Sequence, residues 1–201
     1  MTSHLSFDLD GTLIRDGGDK TVWNEAIPQA YAQKHGVSEH EAKQTVYAAF
    51  YRARAIENID NFTSIPYWVD RLDLTDEAGG FIDQIANLAT PYDDITHLHR
   101  LNQDHTLTLF TNSERDLMEA KLKRMPFNNF YQTISAPTDY NSNKRNTAAW
   151  QQYIDDRNAS PHHNSHIGAR PLGHVTRPKS VGLTAYLIDG DGETGDARTS
   201  L

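Results

Sequence analysis

Two apolar runs, each short enough for one buried strand, lie nearly a hundred residues apart in this chain. The first covers Leu5 to Leu9 and the second covers Thr106 to Thr111. A weak strand pattern follows at 131–135 and further short strands at 166–167 and 183–188, and apolar positions at helical spacing occur before and between these strands, at 92–103, 113–123 and 146–154. This alternation predicts an α/β fold of the Rossmann-like kind, a parallel sheet with helices on both faces and ligands at the carboxyl ends of its strands.

The long interval between the first two strands is helical in pattern. Apolar stripes run from Trp23 to Tyr31 and from Val46 to Ala53, and Ser38 followed by Glu41 is typical of a helix start. Further helices are predicted at 65–72 and 76–88, before Pro91 ends the segment. We therefore expect a core domain of residues 1–14 and 91–201, with residues 15–90 inserted as an all-helical cap.

Charge and composition exclude several classes of site. The 19 basic and 27 acidic side chains give a net charge of −8, which argues against a nucleic-acid-binding surface. Because the chain contains no cysteine, thiolate metal sites and cysteine nucleophiles are excluded. No apolar segment is long enough to span a membrane. We expect a soluble cytoplasmic protein without nucleic-acid or membrane partners, either a monomer or a homodimer.

Asp8 and Asp10 are the strongest candidates for chemistry. They follow the first apolar run, and Gly11 permits a sharp exit that would direct both carboxylates toward one opening. One carboxylate can act as a nucleophile, its neighbour can move protons to and from a leaving oxygen, and a cation could bridge the two. The alternative is a simple hairpin turn, because Asp-Gly also favours tight turns.

Two further positions suit an anion. Thr111, Asn112 and Ser113 end the second apolar run and begin a helix, so a hydroxyl and backbone N–H groups could face a phosphate. An ordinary helix cap would explain the same residues. Lys144 precedes another helix, where the helix dipole disfavours a cation unless an anion offsets it. A solvated surface lysine is the alternative for Lys144.

The stretch from Phe7 to Leu13 resembles the DxDxT opening motif of the haloacid dehalogenase (HAD) superfamily, and the helical insert, Thr111 and Lys144 are similar to its later features. The resemblance implies Asp8 as nucleophile and Asp10 as general acid and base. It implies phosphate binding by Thr111, Asn112 and Lys144. It also implies Mg²⁺ as the cofactor, held by Asp8 and Asp10.

The fourth motif of that family is altered in this chain. Ala169 and His174 stand where the family places two acids, so we expect weak magnesium binding. His174 could orient a water or bind a softer cation, although a solitary loop histidine more often belongs to the polar surface. The fixed charge of Arg170 could replace part of the cation. His162, His163 and His166 lack the partners that would complete a metal site.

The leading hypothesis is a phosphatase that acts on a small phosphorylated metabolite through an aspartyl-phosphate intermediate. Two alternatives stay open. The altered fourth motif fits a catalytically weakened HAD-like protein that binds a phosphorylated ligand or a protein partner. A dehalogenase-like hydrolase that needs no metal would explain the missing acids, but it leaves Asp10 without a role.

Overall fold

The computed structural model describes residues 3–15, 18–57, 64–157 and 163–188. Five parallel strands form one sheet in the order β3-β2-β1-β4-β5. The strands are β1 (Ser3–Phe7), β2 (His105–Thr111), β3 (Gln132–Ser135), β4 (Asn164–Gly168) and β5 (Thr184–Leu187). The predicted α/β class with a parallel sheet is confirmed.

Helices connect the strands and form the long insert between β1 and β2. They are α1 (Gly18–Thr21), α2 (Ile27–His35), α3 (Glu39–Ala55), α4 (Ile65–Arg71), α5 (Ala78–Leu88), α6 (His97–Asp104), α7 (Arg115–Leu122), α8 (Ala136–Tyr140), α9 (Thr147–Asp155) and α10 (Arg177–Ser180). A π-helical segment, Val22–Ala26, joins α1 to α2, and another, Pro171–Thr176, precedes α10. Short 3₁₀ helices cover Thr75–Glu77 and Asp93–Thr96.

The sheet is covered by apolar side chains on both faces. Leu109 packs in one buried cluster with Phe7 and Met118, whereas its neighbour Phe110 packs in another with Trp150. Successive side chains of a strand point to opposite faces, so these two clusters are the two layers of core around the sheet.

The insert forms an apolar cluster of its own, which also includes Leu117 of α7. Trp68 is fully buried there and meets Phe50 edge to face at 4.4 Å. Ser38 begins α3 with the predicted capping box, since its side chain accepts the Glu41 N–H and Glu41 accepts the Ser38 N–H. The insert therefore rests on α7, the helix that follows β2.

The two ends of the insert lie side by side. Ile14 and Pro91 form an antiparallel bridge. The Arg15 N–H donates to Thr90 O at 2.8 Å, and the Tyr92 N–H donates to Leu13 O at 3.1 Å. The chain thus leaves and re-enters the sheet region at one place, next to the carboxyl end of β1. The division into a core and a cap at these positions stays a prediction.

Three local expectations from sequence differ from the structure. The first strand ends at Phe7 instead of Leu9, because the chain turns there: Leu9 O accepts from the Leu13 and Ile14 N–H groups, and Gly11 adopts a φ of 78°. The strand predicted at 166–167 covers Asn164–Gly168, and the segment Pro171–Thr176 around His174, expected as loop, is helical. Among the described residues, no helix combines the length and the apolar character needed to cross a bilayer.

Candidate active site

Asp8 lies directly beyond β1 and is 4% exposed. Its backbone N–H donates to Ile167 O of β4 at 2.9 Å, which fixes the residue between two strand ends. One carboxylate oxygen, Oδ1, accepts from the Lys144 ammonium, and Oδ2 accepts from the Thr12 hydroxyl at 3.2 Å. The carboxylate is therefore buried, paired with a charge and fixed in orientation.

Lys144 is fully buried, so the interpretation of a solvated surface lysine is wrong. Its Nζ also donates to Phe110 O at 2.7 Å. The backbone is held by Asn112 Oδ1, which accepts the Lys144 N–H at 2.9 Å, and by Trp150 Nε1, which donates to Lys144 O at 2.8 Å. Burial lowers the pKa of Lys144, while the Asp8 carboxylate opposes that shift.

The segment that follows β2 contributes polar groups to the same end of the sheet. Thr111 is 1% exposed, and its Oγ1 accepts the Ser113 N–H at 3.1 Å, so this N–H is not available to an anion as the sequence had suggested. The Thr111 hydroxyl hydrogen remains a donor. Asn112 Oδ1 accepts the Lys144 backbone N–H, so the Nδ2 hydrogens of Asn112 are the atoms that could bind a ligand.

Asp10 is held at both carboxylate oxygens. Oδ2 accepts from the Ser113 hydroxyl at 2.7 Å, and Oδ1 lies 2.6 Å from the ammonium of Lys121. Lys121 is 1% exposed and also contacts Asp19 of α1 at 3.1 Å. Sequence reasoning missed Lys121. The available signal was its position four residues after Leu117, which places it on the buried face of α7.

His174 lies beside Asp8, with Nε2 at 3.6 Å from Asp8 Oδ1. At 3% exposed, it is not the polar surface residue that its loop position suggested. Its Nδ1 accepts the backbone N–H of Arg170 at 3.2 Å. Burial, followed by the charges of Lys144, Arg170 and Arg145, holds the pKa of His174 well below its usual range, so the ring is neutral.

The other described histidines of this region do not form a metal site. His166 is fully buried in β4, where Nδ1 and the Ser6 hydroxyl are 2.8 Å apart. His163 is exposed, and His162 falls outside the described residues. Throughout the part of the chain that the structure describes, no three or more histidines and acids are grouped so that they could bind a metal ion.

The groups around Asp8 do not provide the oxygen ligands that Mg²⁺ needs. This ion prefers six oxygen ligands in near-octahedral geometry, usually one or two carboxylates together with waters and substrate phosphates. Here Asp8 Oδ1 accepts from Lys144, and both oxygens of Asp10 already accept from protein groups. Ala169 follows β4 without a carboxylate to contribute. The structure thus brings Asp8, Asp10, Thr111, Asn112 and Lys144 together, and the residues that it describes supply no third acid in a group that could hold a metal ion.

Comparison with known proteins places this geometry in a family. The family model for haloacid dehalogenase-like hydrolases matches residues 5–173. No curated protein sequence matches the chain. A HAD phosphatase from Thermococcus onnurineus has the same fold with a TM-score of 0.73 at 20% identity, over 97% of this chain and 89% of that one.

Two further solved structures differ in the chemistry that their names record. A 2-haloacid dehalogenase from Pseudomonas syringae pv. tomato matches with a TM-score of 0.62 at 15% identity, over 100% of this chain and 92% of the other. A HAD-family enzyme from Bacteroides thetaiotaomicron, solved with magnesium and inorganic phosphate, matches with a TM-score of 0.67 at 13% identity, over 97% of this chain and 98% of the other. Such identities show the fold alone. With the family model spanning most of its length, the chain belongs to the haloacid dehalogenase-like hydrolases.

Proposed function

We propose that this hydrolase is a phosphatase for a small phosphorylated metabolite and that Asp8 is its nucleophile. The observation that carries the proposal is the buried Asp8 carboxylate with the Lys144 ammonium on Oδ1. A carboxylate can form a covalent intermediate with a phosphoryl group. A fixed cation beside it offsets the negative charge of the incoming phosphate and stabilises the transferring group.

The reaction would proceed in two steps. In the first, an oxygen of Asp8 bonds to phosphorus, the ester P–O bond breaks, and its electron pair leaves with the alcohol oxygen, which takes up a proton. In the second, water attacks phosphorus, the bond to Asp8 breaks, and inorganic phosphate is released. Lys144 and the hydroxyl hydrogen of Thr111 would stabilise the phosphoryl oxygens in both steps.

Asp10 would transfer the protons in this scheme. The Ser113 hydroxyl bound to Oδ2 can either donate or accept, so Oδ2 can carry a proton without losing this partner. The Lys121 ammonium can only donate hydrogen bonds, so the Asp10 Oδ1 atom that it contacts carries no proton. We assign Oδ2 as the oxygen that donates a proton to the leaving alcohol and later takes one from water.

A second candidate is favoured by the altered fourth motif. A dehalogenase-like reaction, in which Asp8 attacks carbon and displaces halide, needs no cation. It therefore does not depend on an acid at position 169, where this chain has Ala169. The named dehalogenase among similar structures is consistent with this chemistry. A halide leaving group takes no proton, however, so Asp10 would have no function as a general acid. The third possibility, a protein that binds a phosphorylated ligand without turnover, predicts phosphate binding and no product.

Hydrolysis of p-nitrophenyl phosphate by the purified chain tests the proposal, with a 2-haloacid as the competing substrate. Asp8→Asn should abolish turnover while the protein keeps its circular dichroism spectrum. Asp83→Asn, which changes an exposed carboxylate on α5, is the matched control and should retain wild-type activity. Halide release without phosphatase activity would favour the second candidate. Phosphate binding without either product would favour the third.

A further inference from the structure

The hydrogen bonds of His174 determine which ring nitrogen carries its proton. A backbone N–H can only donate, so Nδ1, which accepts from the Arg170 N–H, uses its lone pair there. The proton of the neutral ring is then on Nε2, the nitrogen that lies 3.6 Å from Asp8 Oδ1. His174 therefore presents a hydrogen-bond donor toward the nucleophile, and not the lone pair that a metal ligand requires.

The ring is fixed in this orientation by packing as well as by its hydrogen bond. A methyl group on Gly168 would lie 2.5 Å from His174 Nδ1 and 2.7 Å from its Cβ, so the ring rests directly on the backbone at the end of β4. On the other side it meets the buried ring of His166 edge to face, at 5.6 Å between centroids. Turning Nε2 away from Asp8 would require both contacts to change.

The side chains next to the Asp8 carboxylate thus present donors. Lys144 and Thr12 donate to its two oxygens, and the Nε2–H of His174 faces it. A divalent cation at this place would meet an ammonium and an N–H group, each of which repels it. Positive charge from Lys144, together with that of Arg170 next to the fourth motif, would instead balance an anion.

We propose that the Asp8 site takes a phosphate monoester without a divalent cation, because the Nε2–H group of His174 and the Lys144 ammonium lie where the cation would need oxygen ligands. The identity of the anion rests on the proposed function. The exclusion of the cation rests on the donors around Asp8 alone, and the two parts can be tested separately.

Isothermal titration of the full chain with MgCl₂ tests the cation directly, without any turnover. We expect no saturable binding at millimolar Mg²⁺. Titration with inorganic phosphate in chelator and then in MgCl₂ should give dissociation constants that agree within about twofold. Saturable Mg²⁺ binding that Asp8→Asn removes, or phosphate binding strengthened about tenfold or more by Mg²⁺, would overturn the inference.

A double variant, Ala169→Asp with His174→Asp, provides the positive control. The double variant replaces the hydrogen-bond donor His174 by an acid and adds the carboxylate that is missing at Ala169. Mg²⁺ should therefore raise the thermal unfolding temperature of the double variant and leave that of the wild-type chain unchanged. If the double variant does not fold, Ala169→Asp alone serves, and the titration of the wild-type chain decides in any case. Absence of phosphate binding in every condition would contradict the proposed function, whereas absence of Mg²⁺ binding would still support the inference.

Discussion

The Lys121 ammonium lies 2.6 Å from Oδ1 of Asp10, and the same ammonium lies 3.1 Å from Asp19 of α1. Burial alone would lower the pKa of Lys121, but the carboxylates of Asp10 and Asp19 raise it above its usual value. Lys121 is therefore charged at physiological pH. It connects the second acid of the first motif to the start of the helical insert, which gives Asp10 one fixed orientation.

Replacing Lys121 by methionine should test this role. The variant keeps the buried volume but removes the charge, which leaves the carboxylates of Asp10 and Asp19 without their shared partner. We expect kcat to fall by about tenfold or more with a small change in KM, because Asp10 loses its orientation. The free energy of unfolding should fall by about 1–3 kcal/mol in denaturant titration.

Lys34→Met is the matched control for that variant. Lys34 forms an ion pair with Asp73 at 3.3 Å, but both side chains are exposed. An exposed pair contributes at most about 1 kcal/mol, so both stability and kcat should stay near wild type. Equal losses of kcat in the two lysine variants would contradict a positioning role for Lys121.

The buried histidines predict a pH dependence of stability. Burial, followed by the charge of Lys144, lowers the pKa of both His166 and His174. In the unfolded chain a histidine titrates near pH 6.5, so below that pH the unfolded state binds protons that the native state does not. Stability must then fall as the pH falls, by about 1.4 kcal/mol per pH unit for each histidine well below 6.5.

Denaturant titrations between about pH 7.5 and 5.5 measure this slope. His174→Gln should reduce the slope by the contribution of one proton, whatever its effect on absolute stability. A slope that His174→Gln does not alter would mean that His174 is protonated in the native state.

The close contact between Gly168 and His174 leads to a third prediction. An added Cβ at Gly168 would lie within 2.7 Å of three ring and side-chain atoms of His174, so Gly168→Ala should displace the imidazole and destabilise the protein by about 1–3 kcal/mol. On α5, Gly80 has open space where a Cβ would lie. Gly80→Ala should therefore leave stability unchanged or raise it by up to about 1 kcal/mol. Equal effects at the two glycines would contradict the tight packing of the ring.

The tautomer of His174 can be observed directly. A nitrogen NMR spectrum of the native protein should assign the proton to Nε2 and the unprotonated nitrogen to Nδ1, as the Arg170 N–H contact requires. The assignment can be made by comparison with His174→Gln. Protonation at Nδ1 instead would break this contact and would give Nε2 the lone pair of a metal ligand.

Local pattern predicted most of the sheet and the start of α3. The apolar run before Asp8 and the one ending at Thr111 had the length and composition of buried strands, and Ser38 with Glu41 predicted the start of α3, because each signal depends on neighbouring residues only. A phosphate-binding role for Lys144 was predicted from its position at a helix start and from the family resemblance, but its burial was not predicted.

The remaining features depend on contacts between distant segments. In the sequence, Lys121 is one polar residue of an amphipathic helix. Its partners Asp10 and Asp19 come from the segment after β1 and from α1, and they meet Lys121 only in the folded chain. His174 lies in a stretch rich in proline and glycine that resembles a loop, and its burial results from the ring packing on Gly168. Sequence spacing contains no information on either contact.

The central claim is that Asp8 becomes covalently phosphorylated, and a rapid acid quench of the enzyme with its substrate tests it most directly. Peptide mass spectrometry of the quenched wild-type protein should find one phosphoryl group, located on the peptide that contains Asp8 and absent from Asp8→Asn. Steady turnover of the phosphate ester with no phosphoryl group on that peptide, or turnover that survives Asp8→Asn, would contradict the account.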